Sequence, residues 1–312
     1  TGILIGQINT GYGANAVTNN YYTASTFNVI GSATGIPTTT PATQCTANQL
    51  LSGEICYLLN GSSPYGGWGQ QLAEDDCPIP GSGYKVIRAA RGDMDANGDH
   101  PYWATFSNLK NDVNLSVPSD RKLYVYNATV SGGKMTLTQR NDNQVAKEEG
   151  VLLNTDGEYV NAKANETNEL AKASSDENHL VATPAEAKTV TAETGCKLYR
   201  LTYNDAKTKA GLGFYLGVVN NSSDGTSLKA TPGKAYLKVN ENEAKAPSSA
   251  ALTRSFVFGS GSETTGIEGI TIMGTDVQHH GTIEGIFDLQ GRKIVNPTKG
   301  IYIKNNKKVI IR

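Results

Sequence analysis

Between Tyr84 and Phe258 the chain alternates apolar and polar residues with a period of two, in short runs that are separated by turn-forming residues. Side chains of a β-strand point alternately to opposite faces of the sheet, so the alternation predicts strands with a buried face. Ser131-Gly132-Gly133 separates two of these runs and predicts a hairpin. The predicted strands are 84–89, 103–106, 112–117, 122–130, 134–139, 151–153, 159–160, 197–203, 213–219 and 234–239.

A short helical segment is predicted between Thr46 and Gly61, where the apolar residues have the spacing of one helix face. Thr46 and Gln49 have the types and spacing of a capping box, in which each side chain caps the backbone N–H of the other residue. Gly53 lies inside the segment, and glycine costs a helix about 1 kcal/mol relative to alanine. We therefore predict two short helical pieces that divide at Gly53 and end at Gly61.

Two polar stretches interrupt the predicted strands. Residues 161–178 show no periodicity and predict a long loop. Thr183-Pro184-Ala185-Glu186 places an N-cap residue, a proline and a glutamate in the order that predicts a single helical turn.

The C-terminal stretch, Thr282–Arg312, contains three more short alternations of apolar and polar residues. Ile286–Leu289, Ile301–Ile303 and Val309–Ile311 are the predicted strands. Gly291 follows the first of them and is suited to a tight turn, because glycine adopts positive φ without strain.

These patterns predict a mainly β chain in three parts. Residues 1–82 would form a β-rung and a short helix, 83–260 an antiparallel β-sandwich or open barrel, and 264–312 a small C-terminal β-domain. A Gly/Ser-rich linker at 260–263 separates the last two parts. Two or three domains also agree with a length of 312 residues.

Composition and charge exclude two classes of protein. Lys+Arg number 28 and Asp+Glu number 29, so the formal net charge is -1. A nucleic-acid-binding protein needs a basic field to displace counterions from phosphate, and this balance argues against one. No apolar run approaches the roughly 20 residues that a transmembrane helix requires.

Three of the four cysteines, Cys45, Cys56 and Cys77, lie within the first eighty residues, and Cys196 lies far from them. We favour one disulfide within the N-terminal group, with Cys196 unpaired. The alternative is that all four are small buried thiols, because free cysteine is among the most buried residue types.

Several sequence strings resemble one group of bacterial proteins. DLQGRK at 288–293 and KGIYI at 299–303 resemble the C-terminal tail of exported Bacteroidales-type proteins, and GILIGQ at 2–7 resembles a terminal rung of GLUG-motif repeats. The strings SGEICYLLN, WATF, GVLL, GFYL, GKAYL, RSFVFG and TTGI follow in the order found in such surface proteins. The resemblance implies an exported protein of the cell surface or extracellular space, whose tail contacts the export or sorting machinery.

The densest group of candidate metal ligands lies in residues 90–100. Asp93, Asp95 and Asn97 occupy the first, third and fifth positions of an EF-hand-like loop, and Asp99 adds another carboxylate. Ala104 stands where the bidentate glutamate of an EF-hand would lie, so an EF-hand is excluded. The stretch predicts either a looser Ca²⁺ site on these four side chains or an ordinary turn rich in Asp and Asn.

The same stretch contains Arg91-Gly92-Asp93, an integrin-type tripeptide that predicts a ligand for a host receptor. A given tripeptide arises by chance in about one chain in twenty of this length, so the signal is weak. Asp93 cannot freely serve a receptor while it binds Ca²⁺, and the two hypotheses therefore compete.

Tyr65, Trp68 and Tyr84 predict an aromatic platform for a sugar ring, because Tyr and Trp combine an apolar face with a polar rim. The alternative is that Trp68 fills a small N-terminal core.

Catalytic motifs are absent from the sequence. It has no G-x-S-x-G elbow, no H-E-x-x-H and no P-loop, and the adjacent pair Glu148-Glu149 predicts solvated charges facing opposite sides. The sequence therefore predicts a protein that is not an enzyme. We expect an adhesin-like surface protein that presents loops to a host surface protein or a glycan, and the alternative is a carbohydrate-binding accessory module of a secreted glycan-degrading system.

Overall fold

The computed structural model describes residues 20–23, 42–61, 66–94, 100–165, 169–219, 223–245 and 252–258, and the backbone alone of five short C-terminal segments. The helices are α1 (Ala47–Leu51) and α2 (Glu54–Leu59). The strands are β1 (Asn20–Tyr22), β2 (Ala42–Gln44), β3 (Trp68–Gly69), β4 (Ile79–Pro80), β5 (Tyr84–Arg88), β6 (Ala90–Arg91), β7 (Tyr102–Ser107), β8 (Val113–Ser116), β9 (Leu123–Ser131), β10 (Lys134–Gln139), β11 (Gln144–Val145), β12 (Gly150–Thr155), β13 (Tyr159–Ala164), β14 (Leu180–Ala182), β15 (Lys188–Thr191), β16 (Cys196–Asp205), β17 (Ala210–Leu216), β18 (Ser227–Ala230), β19 (Ala235–Asn240), β20 (Ser255–Val257), β21 (Thr271–Met273), β22 (Ile286–Phe287), β23 (Lys293–Ile294), β24 (Gly300–Lys304) and β25 (Lys307–Ile311).

The predicted mainly β fold is confirmed, and its strands form stacked, largely antiparallel sheets. A central six-stranded sheet has the order β21-β10-β9-β12-β7-β6. A four-stranded sheet, β11-β8-β13-β5, packs on one of its faces, and a five-stranded sheet, β14-β19-β16-β17-β20, packs on the other. None of these sheets closes into a barrel within the described residues, so the sandwich is the observed architecture.

The central sheet is buried on both faces, because alternate residues of its strands pack in two different cores. Val151 and Leu153 of β12 pack in the core shared with the four-stranded sheet. Leu152 lies between them in the sequence and packs in the core shared with the five-stranded sheet. Adjacent side chains of a strand point to opposite faces, so β12 supplies both cores at once.

Two outer layers complete the stack. Cys56 of α2 packs with Val86 and Tyr159 on the outer face of the four-stranded sheet. On the outer face of the five-stranded sheet, the two-stranded ribbon β15-β18 packs against Leu198 and Tyr236.

The predicted division of the helical segment is confirmed. The Thr46 hydroxyl accepts a hydrogen bond from the Gln49 backbone N–H at 3.1 Å, and the Thr46 N–H donates to Gln49 Oε1 at 2.9 Å. Gly53 has φ of 90° and separates α1 from α2. Gly61, with φ of 64°, follows the end of α2.

Two local predictions are wrong. Thr183–Glu186 does not form a helical turn, because the Thr183 N–H and hydroxyl both donate to the Lys234 carbonyl, at 3.0 and 2.8 Å. These bonds hold Thr183 extended beside the start of β19. The predicted loop at 161–178 begins late, since β13 continues to Ala164, and its remaining described residues contain no helix or strand.

The predicted C-terminal strands are observed in β22, β24 and β25, which form a four-stranded sheet with β23. Ile301 and Ile310 lie opposite each other in the hairpin of β24 and β25. The turn predicted at Gly291 lies outside the described residues. No helix in the described part of the chain is long and apolar enough to cross a membrane.

His179 joins the central sheet to the segment before β14, and it should make stability depend on pH. The Val130 N–H donates to His179 Nδ1 at 3.1 Å, so this nitrogen must be unprotonated. Burial lowers the pKa of His179 below 6.5, although Glu243 and Asp176 act in the opposite direction. As pH falls below about 6.5, the His179 imidazole therefore takes up a proton at a higher pH in the unfolded chain than in the folded protein.

We expect the contribution of His179 to the free energy of unfolding to be complete above about pH 6.5 and to be lost as pH falls through the folded-state pKa. Urea unfolding of the wild type and of His179→Gln, at several pH values between about 7.5 and 5, measures it. The variant should lose less stability over this range than the wild type. Identical pH profiles would contradict the assignment.

Candidate functional site

A cleft with a volume of about 370 Å³ opens between the central sheet and the five-stranded sheet. Its position follows from strand pairing. β16 pairs with β19 from Cys196 to Tyr199, where Tyr199 lies opposite Leu237, and the ladder then ends. Residues 200–203 on one side of this gap and 234–236 on the other line the cleft.

The lining is basic. Among the described residues it contains four cations and no Asp, Glu, His or Cys. Arg88 makes an ion pair with Glu158 at 2.6 Å, outside the lining. The other three cations, which have no carboxylate partner among the described residues, are Arg200, Lys229 and Lys234.

Lys234 has a rigid backbone and a partly desolvated side chain. Its carbonyl accepts hydrogen bonds from Thr183 and from the Ser107 hydroxyl, the latter at 2.6 Å. Burial, with a smaller contribution from the positive charge of Arg88, lowers the pKa of Lys234 to about 8. The residue is only half-buried by accessible surface, because its side chain borders the open cleft while protein atoms surround it. Lys234 is thus a cation at neutral pH that neither bulk water nor a counter-ion fully stabilises.

Trp103 and Tyr203 connect the cleft to the core and to the neighbouring hairpin. The Trp103 ring is 6% exposed and stacks on Phe258 with 4.3 Å between centroids. The indole N–H of Trp103 has no acceptor, although it is a buried donor. The Tyr203 hydroxyl donates to the Arg91 carbonyl at 2.8 Å.

The predicted tripeptide Arg91-Gly92-Asp93 lies in the hairpin between β6 and β7, close to the cleft. Both carboxylate oxygens of Asp93 accept from the Gly211 N–H, at 3.1 and 3.2 Å, while Arg91 is exposed. Asp93 therefore has a structural role that restrains it from binding a receptor freely.

The Ca²⁺ hypothesis depends on residues of which only Asp93 is described. Asp95, Asn97 and Asp99 lie outside the described residues, so the predicted site stays a prediction. Elsewhere in the described ranges, no three His, Cys, Asp or Glu side chains lie together as a metal site would require.

The structure places Trp68 and Tyr84 apart from the cleft. Trp68 is half-buried against the core formed by Cys56 and its neighbours, and Asn60 holds its backbone through two hydrogen bonds. The Tyr84 ring already has the Lys163 ammonium 5.1 Å from its centroid. Tyr65 lies outside the described residues. These positions favour the alternative in which Trp68 belongs to the small N-terminal core.

All four cysteines are free, so the predicted N-terminal disulfide is not formed. Cys45 and Cys56 are buried, and burial raises the pKa of Cys56 to about 11. Cys77 is exposed and Cys196 is half-buried. The alternative of buried thiols is therefore correct for two of the four.

The prediction of two solvated glutamates is wrong for Glu149. Its side chain is 3% exposed and lies 2.8 Å from Nη1 of Arg140, and it accepts the N–H groups of Ala146 and Ala173. Glu148 is exposed and pairs with Lys172 at 2.9 Å. Their partners Lys172 and Ala173 are adjacent in one long loop, which covers Glu149 and leaves Glu148 exposed.

A second cavity of about 270 Å³ lies at the edge of the four-stranded sheet. Lys85 in its wall already donates to the Gly66 carbonyl. Its charge is therefore partly satisfied, and the basic cleft is the stronger candidate site.

None of the cleft's cations was predicted from the sequence. The available signal was the charge of Arg88, Arg200 and Lys234 within predicted strands, and a single charge in a half-buried strand is common. Comparison of the chain with protein-family models, curated proteins and solved structures finds no match. The function is therefore argued from the chain's own residues.

Proposed function

We propose that this chain is a non-catalytic binding protein that uses the basic cleft as its ligand site. The observation that supports this is a cleft whose described lining has three cations without a carboxylate partner and several hydroxyls, but no carboxylate, imidazole or thiol. Hydrolysis of a glycosidic bond needs two carboxylates across the scissile bond, and acyl transfer needs a nucleophile beside a base. The lining supplies recognition groups without either pair.

The proposal includes an exported, adhesin-like role in which the cleft binds a glycan or a protein of the host surface. Ligand sites of this size combine apolar walls with a few polar groups that fix orientation. Leu201 and Tyr203 provide half-buried walls here, and Thr202 and Thr231 provide hydroxyls.

A second candidate function is that of a carbohydrate-binding accessory module in a secreted glycan-degrading system. The hydroxyls of Thr202 and Thr231 favour it, since a threonine hydroxyl can both donate to and accept from a sugar. Binding to polysaccharides that such a system degrades, with no binding to host proteins, would favour this role over the adhesin.

The binding site can be tested by filling the cleft. Thr202→Trp puts a large ring into the lining and should weaken binding about tenfold or more to any glycan or host protein that the wild type binds on an array. Thr191→Trp is the control, because Thr191 is an exposed position on the ribbon outside the lining. Binding that survives Thr202→Trp, or a wild type that binds nothing on either panel, would overturn the proposal.

A further inference from the structure

The cleft concentrates positive charge that the rest of the chain does not share. The whole protein has a formal net charge of -1, yet the lining residues that the structure describes include four cations and no carboxylate. Glu158 neutralises Arg88 from outside the lining, which leaves Arg200, Lys229 and Lys234 without carboxylate partners in the described structure. Cations that line one cleft favour the binding of an anion there.

The half-buried position of Lys234 is a second observation that favours an anion in the cleft. A cation that is withdrawn from water is destabilised unless an opposite charge accompanies it. Thr183 and Ser107 hold the Lys234 backbone in place, but no described carboxylate forms an ion pair with its side chain. The Trp103 indole N–H, which is buried without an acceptor, adds a donor in the same wall.

The remaining lining resembles a site for a polyhydroxylated ligand. Threonine and tyrosine hydroxyls act as donors and acceptors, which matches the hydroxyls of a sugar ring. A volume of about 370 Å³ lies at the small end of ligand sites and suits a short terminal unit better than a folded protein surface.

On the basis of the function proposed above, we infer that the ligand is an acidic saccharide. Its carboxylate or sulfate group would lie between Lys234 and Arg200, while its ring hydroxyls contact Thr202 and Thr231. Arg200 offers a planar pair of donors that matches an oxyanion, and Lys234 adds a point charge.

Calorimetry with disaccharides tests the inference. The probes are a uronic acid disaccharide, a sulfated disaccharide and the carboxyl-reduced neutral counterpart of the first. The wild type should bind at least one acidic probe about tenfold or more tightly than the neutral one. Raising the salt concentration from about 0.05 to about 0.5 M should weaken that binding, because salt screens charge.

Three variants separate charge from shape. Lys234→Met and Arg200→Met remove one charge each and should weaken binding of the acidic probe about tenfold or more. Lys122→Met is the matched control, since Lys122 is exposed and outside the lining, and it should bind as the wild type does. Thermal unfolding of each variant verifies that it is folded, and Lys234→Gln provides a second test at that position.

A pH series adds a readout that belongs to Lys234 alone. Between about pH 7 and 9.5 the lysine loses its proton, since its pKa is lowered to about 8. Burial raises the pKa of Tyr203 and of Tyr236, and the guanidinium groups of Arg88 and Arg200 stay charged. The wild type should lose affinity over this range by a larger factor than Lys234→Met, in which Lys229 is the remaining lysine of the lining.

Equal binding of neutral and acidic probes, or unchanged affinity in both Met variants, would overturn the inference. If binding were insensitive to charge in this way but Thr202→Trp still abolished it, the proposed function would stand and only the acidic-saccharide inference would fall. Tighter binding of a poly-glutamate peptide than of either acidic saccharide would overturn the saccharide class. Absence of binding to every glycan and protein would overturn the proposed function itself.

Discussion

Leu152→Ala and Leu153→Ala should each lower the free energy of unfolding by about 2 to 5 kcal/mol. Both leucines are 0% exposed, although they are adjacent on β12 and point to opposite faces. Leu152 packs in the core beneath the five-stranded sheet and Leu153 in the core beneath the four-stranded sheet. In a sandwich of only two sheets, one of two adjacent strand residues would face water and its truncation would cost little.

Urea unfolding of the two variants therefore tests the stacking of three sheets. Leu51→Ala is the control, because Leu51 is 48% exposed and its loss should cost less than about 0.5 kcal/mol. A large loss in one of the β12 variants and a small loss in the other would show that the central sheet has one open face.

Glu149→Ala should lower the free energy of unfolding by about 3 to 5 kcal/mol, because it removes the close partner of the largely buried Arg140 charge. Only the exposed Asp142, 3.7 Å from Nε of Arg140, would remain as a partner. Oε2 of Glu149 lies 2.8 Å from Nη1 of Arg140, whose side chain is only 17% exposed. Nη1 makes no hydrogen bond by its angles, but the attraction between the two charges depends on their distance. The variant also removes the acceptor of the Ala146 and Ala173 N–H groups.

Glu148→Ala is the matched control one residue away. Glu148 and Lys172 are about half exposed, so water screens their ion pair and its loss should leave stability close to that of the wild type. Chemical denaturation of both variants under one set of conditions gives the comparison. Equal losses in the two would contradict the buried role of Glu149 and the docking of the loop at Ala173.

Glu149 and the cations of the cleft differ in whether the protein supplies partners for their charges. The loop that covers Glu149 is held by hydrogen bonds from its backbone to carboxylates, as at Leu170 with Asp112 and at Ala173 with Glu149. In the cleft, Arg200, Lys229 and Lys234 have no carboxylate partner among the described residues. We therefore expect substitutions at Glu149 to act on stability and substitutions at Arg200 to act on binding.

Period-two alternation by itself determined the class of the fold and most of its strands, because a strand with a buried face must alternate. Thr46, Gln49 and Gly53 likewise determined the helical cap and the break, since both depend on bonds and backbone angles within a few residues. Short edge strands such as β15 and β18 were missed, because four residues of mixed polarity carry little periodic signal.

Only the tertiary structure decided which faces are covered and where the charges meet. Leu152 and Leu153 show no preference for one face in the sequence, and a second buried face exists only once a third sheet packs. Arg88, Arg200 and Lys229 lie on three different strands, and Lys234 immediately precedes a fourth. Their convergence depends on the point at which β16 and β19 separate, and that point is set by long-range strand pairing and packing. Local sequence patterns cannot predict this point of separation, because they report only the interactions of residues that are near neighbours in the chain.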